Sequence, residues 1–152
     1  YHYFPSKEAY GCAVLEDFVH EYKDRLAMSL DNPKLNARAR LLAYFENWHQ
    51  NQISQNPEDR CLVVKLSAEV ADLSKHMSEI LQQGVNEIVA RLAKTLEEGI
   101  AEGSIAEIDD TKDLAEAIYH QWLGASLVAS LSHDDAPLKS AMLATEKLIP
   151  ST

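Results

Sequence analysis

The 152 residues carry a formal net charge of −10, with 46% hydrophobic and 25% charged side chains. That length suits one domain with a sizeable core, no run approaches the roughly 18 apolar residues of a membrane span, and the first residues show no basic leader followed by an apolar stretch. Two cysteines make no disulfide framework, which points to a reducing, cytoplasmic setting, and so acidic a chain repels a polyanion such as DNA on average.

The chain opens on Tyr1-His2-Tyr3-Phe4-Pro5, an aromatic cluster, before Ser6 supplies a helix N-cap and Glu8 suits the positive end of the dipole. The helix predicted from there to about Leu30 carries Val14, Phe18, Tyr22 and Leu26 at i, i+4 spacing, and Asp31-Asn32-Pro33 breaks it. A second helix is expected from Pro33 to about Gln52, with Leu41, Leu42, Phe45, Trp48 and His49 on one face. The stretch Cys61-Leu62-Val63-Val64-Lys65-Leu66 is the best strand candidate, yet Ser67 to Asp72 reads helical, so the piece is expected as a short buried helix.

From Ser74 to Gly99 the apolar positions Met77, Leu81, Val85, Ile88, Leu92 and Leu96 step by a helical period, and Gly99 and Gly103 mark the end. Asp110 with Asp113 resembles a capping box. The helix from Thr111 to about Leu131 is apolar over most of its circumference, so it is expected to be covered on more than one side. Pro137 suits the first position of a last helix bearing Leu138, Met142, Leu143 and Ile149. Two such apolar helices predict a two-fold homodimer through Leu123, Leu127, Leu138 and Met142; the alternative is that both close the monomer's own core. The fold class is all-α, with about six helices.

No metal site, cofactor loop or catalytic set emerges: no His-x₃-His pair, no ligand-spaced cysteine partner, no Gly-rich phosphate loop, no nucleophile elbow. An enzyme is therefore not expected. Tyr44, Trp48, His49, Tyr119, His120 and Trp122 form a candidate ligand-pocket lining, since amphipathic aromatics with polar tips suit such cavities; plain core packing is the equal alternative.

The run YHYFPSKEAYG resembles the junction, in the TetR family of bacterial transcriptional regulators, between the end of the DNA-recognition helix and the helix that enters the ligand-binding body. Cys61 to Ser74, with Tyr119, the run Trp122 to Leu127, and Pro137-Leu138, is similar to the branch represented by the repressor of N-ethylmaleimide reductase. The resemblance covers essentially the whole chain. It implies residues 1–5 as the remnant of a recognition helix whose helix-turn-helix head precedes Tyr1, and residues 6–152 as a TetR-type sensing and dimerisation domain. Operator DNA would then be held by a basic head, which reconciles the acidic body with phosphate contacts.

On that resemblance Tyr1, Tyr3 and Lys7 match positions that touch DNA, and a lysine beside a helix N-terminus suits phosphate. Cys61 matches a cysteine that senses electrophiles and chlorine species; Arg60, Lys65 and a helix start favour its thiolate. The equally open reading is a small buried hydrophobe. Two departures matter: Ala71 replaces the branch's second cysteine, and Ser130 replaces a lysine able to cross-link to the first. The implied function is a repressor relieved by a small ligand or by modification of Cys61; the alternative is a stand-alone helical interaction module.

Overall fold

The computed structural model describes residues 7–54 and 74–152, and among these five α-helices carry the architecture. They are α1 (Lys7–Leu30), α2 (Ala37–Ile53), α3 (Lys75–Glu102), α4 (Thr111–Ser132) and α5 (Ala136–Leu148). The expected N-cap Ser6 and the expected helix over residues 61–72 lie outside the described residues.

Local chemistry sets most boundaries. Ser74 accepts from the Met77 amide at 3.2 Å to start α3, and Asp110 accepts from the Asp113 amide at 3.0 Å to start α4. The second helix begins at Ala37, four residues later than its sequence suggests. Asn32 Oδ1 accepts from the Lys34 amide at 3.0 Å, which spends Pro33 on a turn, and Asn36 takes the cap by accepting from the Ala39 amide at 2.9 Å. Helix α3 runs three residues past Gly99. Gly103 closes it at φ 91°, and the chain then doubles back so that the Ser104 and Ile105 amides both reach the Gly99 carbonyl. Ile105 packs on Gly99 so closely that a Cβ there would stand 2.3 Å from its Cδ1. Pro137 takes the second position of α5, with Ala136 at the first.

Helix α3 packs against α1, α2 and α4, while α4 and α5 form an antiparallel hairpin that also touches α2. Leu15, Leu26 and Leu30 are the buried residues of α1, with Phe18 and Tyr22 half-buried beside them. Lys23 Nζ holds Glu87 at 2.7 Å, and Arg91 pairs with Asp31, so α1 is also tied to α3 by charge.

The centre is aromatic. Phe45 of α2 stacks on Trp122 of α4 (centroids 5.1 Å, 20°), and Trp48 meets Tyr119 edge-on at 5.6 Å. Both indole N–H groups are satisfied: Trp48 donates to Ser126 Oγ and Trp122 to Thr145 Oγ1, each at 2.8 Å. Thr145 in turn donates to the Ala141 carbonyl at 2.7 Å. At the opposite end Arg38 caps α5, its Nε donating to the Ile149 carbonyl and its Nη2 to the Glu146 carbonyl, both at 2.9 Å.

Thr145→Val keeps the shape of the side chain but strands the buried Trp122 N–H. We expect a loss of about 1–3 kcal/mol in urea-unfolding free energy, with an unchanged m-value and little change in helix content by circular dichroism.

Candidate functional site

Where the C-terminal ends of α2 and α4 meet the α4–α5 turn, the surface opens into a recess of about 460 Å³ lined by Gln52, Ile53, Ala129, Ser130, His133, Asp134, Asp135 and Leu138. Helical spacing explains the α2 wall, because His49, Gln52 and Ile53 fall on one face at i, i+3 and i+4. The far wall is a tight turn. His133, at φ 53°, ends α4 in the left-handed region, with its amide on the Ala129 carbonyl.

Beside the recess, two further polar bridges cross from α2 to the hairpin. His49 Nε2 lies 3.0 Å from Asp135 Oδ2, and Gln52 Nε2 donates to Ser130 Oγ at 3.2 Å. The His49 hydrogen bond is the main cause holding the Asp135 carboxyl below its ordinary value, against the opposing effect of desolvation and with help from Lys139. Gln52 is only 5% exposed, and its Oε1 has no hydrogen-bond partner among the described residues.

The aromatic residues expected to line a pocket sit elsewhere. Tyr44, Trp48, Tyr119 and Trp122 are buried and fill the space between α2 and α4 with one another. Tyr44 also shares a 2.6 Å hydrogen bond with the Tyr22 hydroxyl. His49 is buried beside the recess through Asp135, whereas His120 is exposed on α4. Sequence reasoning had not singled out Gln52, Asp135 or His133. The available signal was the i, i+3 relation of His49 to Gln52, since a buried His and a buried Gln on one face need partners.

A second feature lies on the hairpin's outer side. Leu127, Val128, Leu131, Leu143 and Leu148 are exposed, Leu131 by 75%. Leu123 and Met142 are half-buried against the core, and Leu138 is 0% exposed within the single chain, so it lies beneath this face and not on it. Lys7 is exposed at the first position of α1; Tyr1, Tyr3 and Cys61 lie outside the described residues. Cys12 is half-buried, and its thiol is pushed up by desolvation and by Glu8 and Glu16. Among the described residues no group of three His, Cys, Asp or Glu side chains is placed to hold a metal, and no helix is long and apolar enough to cross a membrane.

The family model for the tetracyclin repressor-like C-terminal domain matches residues 37–145. The chain belongs to the TetR family. Within it the chain is NemR-like: it is 36% identical over 149 residues to the HTH-type transcriptional repressor NemR of Escherichia coli (strain K12), covering 98% of this chain and 75% of that protein. The crystal structure of E. coli NemR in its reduced form superposes with a TM-score of 0.91 at 38% identity, across 100% of this chain and 79% of that one. The HTH-type transcriptional repressor DhaR of Mycobacterium sp. (strain GP1) is 28% identical over 153 residues, covering 100% of this chain and 75% of DhaR. The all-α class expected from periodicity is thus the TetR class in fact.

Because the folded Asp135 carboxyl releases its proton more readily than an unfolded one, its stabilising contribution is complete above the unfolded value of about 4. It is lost as pH falls through the depressed folded value. Asp135→Asn is therefore expected to lower the urea midpoint at pH 6, and the gap from the parent chain should narrow progressively as pH falls below about 4; a gap that stays constant with pH would contradict the His49–Asp135 bridge.

Proposed function

We propose that this chain is the regulatory body of a homodimeric transcriptional repressor whose hold on operator DNA is released by a small ligand or by electrophile or oxidant attack on Cys61. The observation that carries this reading is the likeness to NemR, a transcriptional repressor, over nearly the whole chain in both sequence and backbone. The solved NemR structure is that of its reduced form. Here residues 1–5 are assigned to the end of a recognition helix, with Tyr1, Tyr3 and Lys7 at the operator, and residues 6–152 to sensing and dimerisation.

The exposed leucines of α4 and α5 support the dimer. Exposed apolar side chains on both helices of a hairpin suit pairing with the same hairpin of a second copy, giving a four-helix interface with two-fold symmetry. Replacing Leu131 and Leu143 together by Glu is expected to convert a dimer to a monomer by sedimentation at micromolar concentration and to weaken operator binding, while helix content holds.

For Cys61, its sequence neighbours Arg60 and Lys65 favour the thiolate. A Cys–Lys cross-link through position 130 is not available, since Ser130 stands there, so a simple adduct or a sulfenic acid is the proposed modification. Cys12 provides the internal contrast, because its raised pKa makes it a slow nucleophile at neutral pH. In the protein expressed from its complete reading frame, hypochlorite or N-ethylmaleimide is expected to release operator DNA. Cys61→Ser should abolish that release and the fast phase of thiol labelling, whereas Cys12→Ser should leave both in place. Release that survives Cys61→Ser would end the thiol reading and leave the repressor reading standing.

A further inference from the structure

We propose that the recess beside the α4–α5 turn binds a small organic cation, an ammonium or amidinium group carried on a compact apolar body. Its volume of about 460 Å³ falls within the roughly 300–1,000 Å³ of small-molecule sites. Buried Ala129 and Leu138 and exposed Ile53 offer apolar surface, and Gln52, Ser130, Asp134 and Asp135 offer oxygens. No lysine or arginine is among the described lining residues; exposed Lys139 stands 3.7 Å from Asp135 Oδ1.

The second, independent observation is Gln52. Its side chain is 5% exposed and half-satisfied: Nε2 is bonded to Ser130, while Oε1 is buried without a partner among the described residues. A buried carbonyl left unpaired is destabilising by itself. The vacancy calls for a donor because Nε2 is the end engaged by Ser130 and the unpaired Oε1 can only accept. A ligand N–H entering from the recess supplies the missing donor after a small rotation of the terminal amide, whose last torsion is soft.

Charge then selects among donors. Asp134 and Asp135 lie on the rim of a chain of net charge −10, so a cation is drawn in and a carboxylate or phosphate is repelled. His49 already occupies one Asp135 oxygen, and the Ala136 amide donates to Asp134 Oδ1 at 3.0 Å. The remaining carboxylate lone pairs suit a planar or tetrahedral N–H cluster.

The site also has a consequence for shape. The bridges from Gln52 to Ser130 and from His49 to Asp135 join α2 to the hairpin that bears the exposed leucines. A bound cation competes for Ser130, Gln52 and Asp135, and so shifts the balance between joined and parted arrangements. That occupancy releases operator DNA rests on the repressor reading above; occupancy itself does not.

The test titrates benzamidine, benzyl alcohol and benzoate into the chain at matched ionic strength. Benzamidine is expected to bind at least ten-fold more tightly than either of the others. Ser130→Phe, which fills the recess from an exposed position, should weaken benzamidine at least ten-fold, and Gln52→Met should weaken it several-fold without lowering Tm. Ser130→Lys places a competing charge in the mouth, and should lose benzamidine and gain benzoate. Equal affinity for the three compounds, or benzamidine binding untouched by both Ser130 variants, overturns the proposal. Operator binding by the complete protein is read separately. Intact operator binding without benzamidine binding removes the recess site alone, whereas benzamidine binding without operator binding removes the repressor reading alone.

Discussion

The stack of Phe45 on Trp122, with the Trp122 N–H anchored on Thr145, is the contact on which the body depends. It joins three helices at one point: α2 supplies the phenyl ring, α4 the indole and α5 the hydroxyl. An indole is large enough to touch both neighbours, but its N–H must find an acceptor wherever the ring is buried. Thr145 meets that demand inside α5 and returns its own proton to the Ala141 carbonyl, so the polar chain closes within the helix. The angular setting of the α4–α5 hairpin against α2 follows from this triple contact.

From that setting come the two surfaces with functional interest. Helix α4 has used the face bearing Ala115, Ile118, Tyr119, Trp122 and Ser126 for the core, which leaves Leu127, Val128 and Leu131 outside. Its last turn, ended by the left-handed His133, brings Ser130 and Asp135 opposite Gln52 and His49. Near its C-terminus α2 is thus joined to the hairpin both by these two hydrogen bonds and by Trp48, which donates to Ser126 and packs on Tyr119 and Trp122. The ring contacts are close-packed and resist small deformations; the two bridges, which run from buried His49 and Gln52 out to the edge of the recess, are the softer connection.

How far the sequence spoke depended on the range of the interaction. The apolar steps from Met77 to Leu96, the cap at Asp110 and the Asn32-Pro33 break are local, and helices appeared where those signals stood. Helix α2 starts later than its pattern suggests because proline at a first helical position and proline in a turn read alike; the Asn32 side chain decides between them, and only the folded turn shows its choice. The aromatic set was legible as an inward face, but periodicity says nothing about whether the space beyond a face is empty or filled. Here Phe45, Trp48, Tyr119 and Trp122 fill it for one another. Leu138 illustrates the same limit, since an apolar residue on a hairpin serves the monomer core or a partner with equal periodicity.

The polar recess was the least legible feature, and its distances explain why. Its bridges span 86 and 78 residues of chain, from His49 to Asp135 and from Gln52 to Ser130. Neither pair leaves a mark at helical spacing. What the composition did contain was the sign of the field. A chain of net charge −10 cannot hold DNA by its average surface, so phosphate contact in such a body must be concentrated at a small basic element, and any anionic effector must enter against the same field. The charge that argues against nucleic acid at the body also disfavours an anion at the recess, whose lining includes Asp134 and Asp135.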